Sequence, residues 1–161
     1  MPIVHLICGS TGAGKTTYAR ALADRVRGVR FSIDEWMANL FLADRPDQLS
    51  PAWAGERAAR CEVQMWATAD GLLARGVDVV FDVGLTKRVH RERFRARAAQ
   101  VGAASKLHYL DVDPETRRER VKRRNVAGAA FEITDDMFNF VETLFEVPTD
   151  DELYEAMIVC F

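Results

Sequence analysis

Apolar and polar positions along the chain follow two alternating periods. Ile3–Cys8 is a short continuous apolar run that ends at Gly9, the pattern of a buried strand. Over residues 15–27 the period becomes helical, with Ala19, Leu22, Ala23 and Val26 on one face. Val29–Ser32 reads as a second strand. Ser32 and Glu35 have capping-box spacing, so a helix carrying Trp36, Met37, Leu40 and Phe41 starts there. Segment 43–52, with Pro46, Asp47, Ser50 and Pro51, reads as a loop, and residues 53–75 as a longer helix ending near Gly76. Residues 77–83 form a third, fully buried strand. Residues 86–101 form a helix with Phe94, Ala98 and Val101 inward and its arginines outward. A fourth strand covers 106–112. Asp113 then stands as N-cap and Pro114 as first helical residue of the next helix. Thr134 caps another helix that runs to about Glu146, and 156–161 is a last apolar strand. Strands separated by helices imply parallel strands with crossovers. The expected architecture is a three-layer α/β/α domain with a parallel sheet of about five strands.

The length of 161 residues suits one domain over 1–161, and 48% apolar residues allow a sizeable core. Lys and Arg total 22 against 24 Asp and Glu, a balance that argues against a nucleic-acid coat or a membrane-surface protein. Locally the balance breaks. Residues 87–124 are rich in Arg and Lys, and no Lys or Arg follows Arg124, while Glu132, Asp135, Asp136, Glu142, Glu146, Asp150, Asp151, Glu152 and Glu155 do. Either an anion site is partly balanced from within, or these are two solvated helix faces. Cys8, Cys61 and Cys160 show no disulfide or zinc spacing. Cys8 and Cys160 are expected to be small buried hydrophobes, and this usage fits a reducing cytoplasm. No signal peptide and no membrane span is evident, and a monomer is the default expectation.

Gly9, Ser10, Thr11, Gly12, Ala13, Gly14, Lys15 and Thr16 match G-x-x-x-x-G-K-[ST] in full, between an apolar strand and an amphipathic helix. Glycines let the backbone curl so that several N–H groups face one phosphate, and the helix N-terminus adds its positive dipole end. Lys15 brings a cation to the β- and γ-phosphates, and Thr16 a hydroxyl to Mg²⁺. These residues, with Thr17, are the expected ATP contacts. The alternative is a glycine-rich turn with a chance Lys-Thr. Asp82 ends the third strand, at the edge where parallel α/β sheets bind ligands. It either holds Mg²⁺, directly or through water, or caps the turn at Val83-Gly84.

Asp34 follows the second strand on the same edge. A carboxylate there accepts the proton of a substrate hydroxyl as the γ-phosphoryl transfers, or it stabilises the first helical turn together with Glu35. Arg88, Arg91 and Arg95 share one helix face at i, i+3, i+7. Arg88 and Arg91 are the candidates for an anionic substrate. Arg117, Arg120 and Arg124 repeat that spacing after the fourth strand. They suit a helical lid over about 114–130 that closes on the transferring phosphate, or an exposed helix paired with Glu115 and Glu119. Arg117 is expected at the nucleotide, and Lys15, Asp34, Arg120 and Arg124 in catalysis. His90 and His108 read as structural. Trp36, Met37, Phe41, Trp53 and Trp66 wall either a substrate pocket or the core.

Five stretches together resemble a family. They are residues 9–16, 31–35, the run Phe81-Asp82-Val83-Gly84-Leu85-Thr86, residues 113–125, and Leu144-Phe145-Glu146-Val147-Pro148. The chain resembles a small P-loop kinase of the AAA_33 type over nearly its whole length. That group is similar to gluconate kinases, chloramphenicol phosphotransferase, zeta-toxin kinases and the kinase domain of polynucleotide kinase. The resemblance implies sheet order 2-3-1-4-5 and a lid around 117–130. It implies Lys15 and Thr16 at phosphates and Mg²⁺, Asp34 near the acceptor hydroxyl, and lid arginines among Arg117, Arg120 and Arg124. The leading expectation is transfer of the γ-phosphoryl of ATP to a hydroxyl of a small molecule. The alternatives are a nucleotide-dependent switch or adaptor with little catalysis, and a kinase acting on a nucleic-acid end or a nucleotide-sugar. Overall charge, and the lack of a clear aromatic-basic face, count against nucleic acid.

Overall fold

The computed structural model describes residues 1–46, 50–128 and 132–160. Residues 47–49 of the expected loop, 129–130 of the expected lid and Phe161 of the expected last strand lie outside the described residues. The strands are β1 (Ile3–Cys8), β2 (Val29–Ser32), β3 (Val79–Asp82), β4 (Ala104–Asp111) and β5 (Met157–Cys160). The helices are α1 (Lys15–Val26), α2 (Ile33–Phe41), α3 (Pro51–Leu73), α4 (Arg88–Gln100), α5 (Pro114–Val126), α6 (Asp135–Leu144) and α7 (Asp150–Leu153). One sheet orders the strands β2-β3-β1-β4-β5, every pair parallel.

Side chains of a strand alternate between the two faces of the sheet, and helices cover both faces. Val4, Leu6, Cys8, Val79, Phe81, Leu107 and Tyr109 point to one face and pack with Cys61, Met65, Trp66, Ala69, Phe94 and Ala98 of α3 and α4. Ile7, Val80 and Leu110 point to the other and pack with Ala19, Leu22 and Ala23 of α1. Aromatic rings hold the centre of the first layer. Phe81 stacks on Phe31 (5.3 Å), leans on Trp66 (4.6 Å) and meets Phe94 edge-on (5.2 Å). Trp66 is therefore core.

Helix starts follow their caps. Ser32, Ser50, Asp113 and Thr134 each accept the N–H of the residue three further on, so α3 begins at Pro51, inside the expected loop. α7 went unread in the sequence because it is one turn, held by the box between Thr149 and Glu152. Cys160, expected to be buried, is exposed, because β5 is an edge strand with one neighbour. No helix among the described residues is long and apolar enough to cross a membrane.

One arginine of α4 breaks the expected outward pattern. Arg91 shares the face of Phe94 and Ala98 and is fully buried. Its fork meets the equally buried Glu152 of α7 (Nε–Oε1 2.7 Å, Nη2–Oε2 2.9 Å). Nη1 also donates to the carbonyls of Leu85 (3.3 Å) and Glu146 (3.0 Å). Removing one partner of such a pair leaves a buried charge uncompensated. Glu152→Ala is expected to lower unfolding stability by about 3–5 kcal/mol. Arg91→Met with Glu152→Leu is expected to recover part of it, both read from urea midpoints. A cost under about 1 kcal/mol for Glu152→Ala would mean that the pair does not hold the segment.

A second buried polar chain crosses β1 and β4. Asp78 accepts from His5 Nε2 (3.4 Å), so His5 Nδ1 is the acceptor for His108 Nε2 (2.9 Å), and His108 Nδ1 accepts from the Tyr18 hydroxyl (2.8 Å). Both rings are then neutral. Burial pushes the pKa of His5 below the ordinary value and that of His108 down to about 3. A folded-state pKa below the unfolded one means that acid loads protons on the unfolded chain first. Stability is therefore expected to fall as pH drops below about 6.5, by about 1.4 kcal/mol per pH unit for each histidine held neutral. Thermal or urea unfolding at pH 7 and pH 5 measures this, and His108→Gln should flatten the slope. Equal stability at the two pH values would remove the claim.

Candidate active site

The carboxyl ends of β1, β2 and β3 lie together, and a cleft of about 470 Å³ opens above them. β1 stops at Cys8 and the chain curls before α1 begins at Lys15. Two glycines make the curl feasible. Gly14 sits at φ +91° as the residue before α1, and it has no side chain to cap the first N–H groups of the helix, so these are left for a ligand. Gly12, at φ +80°, lies against the first turn of α5. A Cβ there would stand 2.5 Å from the carbonyl oxygen of Arg117.

The cleft is lined by Thr11, Gly12, Gly14, Lys15, Thr16 and Thr17 of the curl and α1, Ile33 and Asp34 of α2, Asp82 at the end of β3 and Gly84 beyond it, Arg120, Val121 and Arg124 of α5, and Ile133. Most residues that the sequence nominated for nucleotide, metal and acceptor thus meet in one place. Gly9, Ser10 and Ala13 shape the loop from behind the cleft. Ala13 is fully buried, and Gly9 presses on Ala13 and Leu110.

Lys15 donates from Nζ to the carbonyl of Ser10 (3.1 Å). Burial presses its pKa below the ordinary lysine value, against the pull of Asp82 and Asp34. Asp82 is 6% exposed, and burial raises its pKa. A hydrogen bond from Thr16, the charge of Lys15 and the charge of Arg30 oppose that rise. Thr16 and Asp82 together offer a hydroxyl and a carboxylate, hard oxygen donors. Mg²⁺ is commonly held by one or two carboxylates plus substrate phosphates, and the donor set fits it. Among the described residues no cluster of three or more His, Cys, Asp or Glu forms an all-protein metal cage.

Asp34 stands in the first turn of α2, one residue past Ile33 at the cleft wall. Its neighbour Glu35 turns aside. The Glu35 carboxylate accepts from Arg30 Nη2 and from Arg20 Nη2 (2.7 Å), and these two cations hold its pKa low. Ser32 caps the turn through Glu35 N, while the side chain of Glu35 is spent on the arginines. Arg30 was missed in the sequence because the short run Val29–Ser32 reads simply as a strand.

Three nominated arginines do other work. Arg91, expected at the substrate, is the buried partner of Glu152 and lies outside the cleft. Arg88, expected beside it, binds Glu92 (2.6 Å), Thr149 (2.7 Å) and Asp151 (2.7 Å), again outside the cleft. Arg117, expected at the nucleotide, is buried behind the loop. It donates to the carbonyls of Val112 (2.8 Å) and Thr11 (3.3 Å), and both terminal nitrogens meet Glu142 at 2.6 Å. Glu142 also accepts from the Ser10 hydroxyl, and Arg117 holds its pKa low. Acidic residues near the end of the sequence are the reason for these corrections: Asp151, Glu152 and Glu142 take Arg88, Arg91 and Arg117. Arg120 and Arg124 do reach the cleft, and Arg120 Nη1 donates to the carbonyl of Ala13 (3.4 Å).

Solved structures share this arrangement of elements. A gluconokinase from Sinorhizobium meliloti superposes with a TM-score of 0.65 at 17% identity, over 99% of this chain and 82% of its own. The Mycobacterium tuberculosis APS kinase CysC, solved with AMPPNP and APS, gives 0.67 at 18%, over 99% and 88%. Chaetomium thermophilum Kti12, solved with ADP-AlF3, gives 0.67 at 17%, over 98% and 88%. At such identities the likeness establishes the fold. No curated protein matches the sequence. The model of the AAA_33 family, described as an AAA domain, matches residues 4–148, the phosphate loop, α5 and α6 included, and the chain belongs to that family.

Proposed function

We propose that the protein is an ATP-dependent phosphotransferase that moves the γ-phosphoryl group to a hydroxyl of a small molecule. The observation that carries this reading is the single cleft that gathers Lys15, Thr16, Asp34, Asp82, Arg120 and Arg124. Lys15 and the N–H groups opening α1 bind the β- and γ-phosphates. Thr16 and Asp82 would hold Mg²⁺, which would supply neutralisation of charge on the phosphate oxygens. Asp34 orients the acceptor hydroxyl and takes its proton while the new O–P bond forms and the β–γ bridge breaks, leaving ADP. Arg120 and Arg124 approach from α5, where they would stabilise the transferring group and exclude water.

A small acceptor is favoured because the basic stretch is largely occupied. Arg88, Arg91, Arg93, Arg97, Arg117, Arg118 and Arg123 each have a carboxylate partner, which leaves little basic surface for a polynucleotide backbone. The reading takes a single chain as the working unit, in a reducing cytoplasm that suits its three cysteines.

Lys15→Ala is expected to abolish the thermal shift given by ATP with Mg²⁺, along with transfer. An unchanged shift would overturn the phosphate reading. Asp34→Asn is expected to keep that shift and to slow phosphorylation of an acceptor by about 10²–10⁴-fold. The acceptor is sought by adding hydroxyl-bearing metabolites to the ATP-loaded protein. Normal ATP binding with no turnover on any hydroxyl compound, and no effect of Asp34→Asn, would point instead to a nucleotide-dependent switch.

A further inference from the structure

Arg30 occupies an unusual place for a strand residue. It lies on β2, paired in register with Val80 of β3, and its side chain is 12% exposed. From there Nη1 donates to Asp82 Oδ2 (3.1 Å) and Nη2 to Glu35 Oε1. Glu35 Oε1 is held from the far side by Arg20 Nη2 of α1 (2.7 Å). The chain Arg20–Glu35–Arg30–Asp82 therefore runs from α1 through α2 and β2 to the carboxylate at the cleft floor. An arginine fork is planar and rigid, so two bonds to two carboxylates fix the orientation of both.

We propose that Arg30 is a positioning residue for Mg²⁺ binding: it holds in place the Asp82 carboxylate that would take the cation, with Glu35 as its anchor. The inference rests on the reading of Thr16 and Asp82 as the Mg²⁺ donors. Hydrogen-bond partners that orient a ligating carboxylate tune metal affinity, and their loss costs about 10–100-fold. The fork takes Oδ2 alone, so the carboxylate is oriented without both of its oxygens being spent on the pair. The charge of Arg30 acts in the other direction. Deleting a cation beside a metal-binding carboxylate would by Coulomb's law tighten Mg²⁺ binding. The two roles thus differ in sign, which makes them separable.

The experiment titrates Mg²⁺ against the ADP-loaded protein and reads the thermal shift of each variant relative to its own metal-free baseline. ADP binding in the presence of a chelator is the control. Arg30→Gln is expected to raise the half-saturating Mg²⁺ concentration about ten-fold or more, with metal-free ADP binding unchanged. Arg30→Lys loses the fork but keeps the opposing charge, and is expected to raise the concentration at least as much as Arg30→Gln. Glu35→Gln, at a half-exposed site that tolerates change, is expected to raise the concentration by a smaller factor. If Arg30→Gln does not fold, Arg30→Lys and Glu35→Gln carry the test. Tighter or unchanged Mg²⁺ binding in the Arg30 variants would overturn the proposal, as would wild-type behaviour of Arg30→Lys. Asp82→Asn separates the two failures. If it too leaves the Mg²⁺ requirement unchanged, the donor reading falls. If it alone raises the requirement, the donor reading stands and the role of Arg30 falls.

Discussion

The buried pair of Arg91 and Glu152 is the constraint on which the cleft depends. The carbonyl of Leu85 belongs to the loop after β3, next to Gly84 at the cleft wall, and Arg91 holds it. The carbonyl of Glu146 belongs to the segment after α6, and the same guanidinium holds it. Around this pair the contacts repeat. Glu146 N donates to the carbonyl of Thr86, the Glu146 carboxylate accepts from Arg88 N at the start of α4, and Arg88 reaches Asp151. The wall after β3 is thus tied to the chain that leads into β5. Charges this deep are stable only when fully paired, so the arrangement tolerates little variation in geometry.

The same acidic segment reaches the phosphate loop from its other end. Glu142, at the end of α6, takes the Ser10 hydroxyl and the Arg117 fork together. Arg117 in turn holds the carbonyl of Thr11, and its own carbonyl packs on Gly12. The loop is therefore shaped from inside by its glycines and braced from outside by α5 and α6. A cradle whose N–H groups are already aimed binds phosphate without paying to order itself. α5 serves two purposes at once. Its first turn braces the loop, and the turns beyond bring Arg120 and Arg124 to the cleft.

The sequence carried the fold because the fold is local in its signals. β1 and β3 are built on short apolar runs, every crossover is helical, and four helix starts carry their own Ser, Thr or Asp cap. The phosphate loop was legible for the same reason: eight consecutive residues define it. Pairing between distant side chains was not legible. Arg88 and Arg91 were read as facing substrate because periodicity reports which residues share a face, not what faces them. Yet Arg91, Phe94 and Ala98 stand at i, i+3, i+7, so the spacing that placed Phe94 and Ala98 inward also placed Arg91 there. Glu142 and Glu152 are separated in sequence from their partners by 25 and 61 residues, and no local pattern announces such contacts.

Charge distribution then sets what the cleft presents in a chain so rich in arginine. Arg88, Arg91, Arg117 and Arg118 of the basic stretch are neutralised within the fold by Asp151, Glu152, Glu142 and Asp135 of the acidic segment. The cations that line the cleft are Lys15, Arg120 and Arg124, set against Asp34 and Asp82. Positive charge from two directions and negative charge on the floor suit a ligand that is itself divided: polyanionic where it meets α1 and α5, and bearing a cation or a donated proton where it meets the two aspartates. A triphosphate with Mg²⁺ and a neutral hydroxyl beside it has that division. Among the lining residues of α2 and β3 no cation stands beside Asp34, so the positive charge lining the cleft comes from α1 and α5 alone.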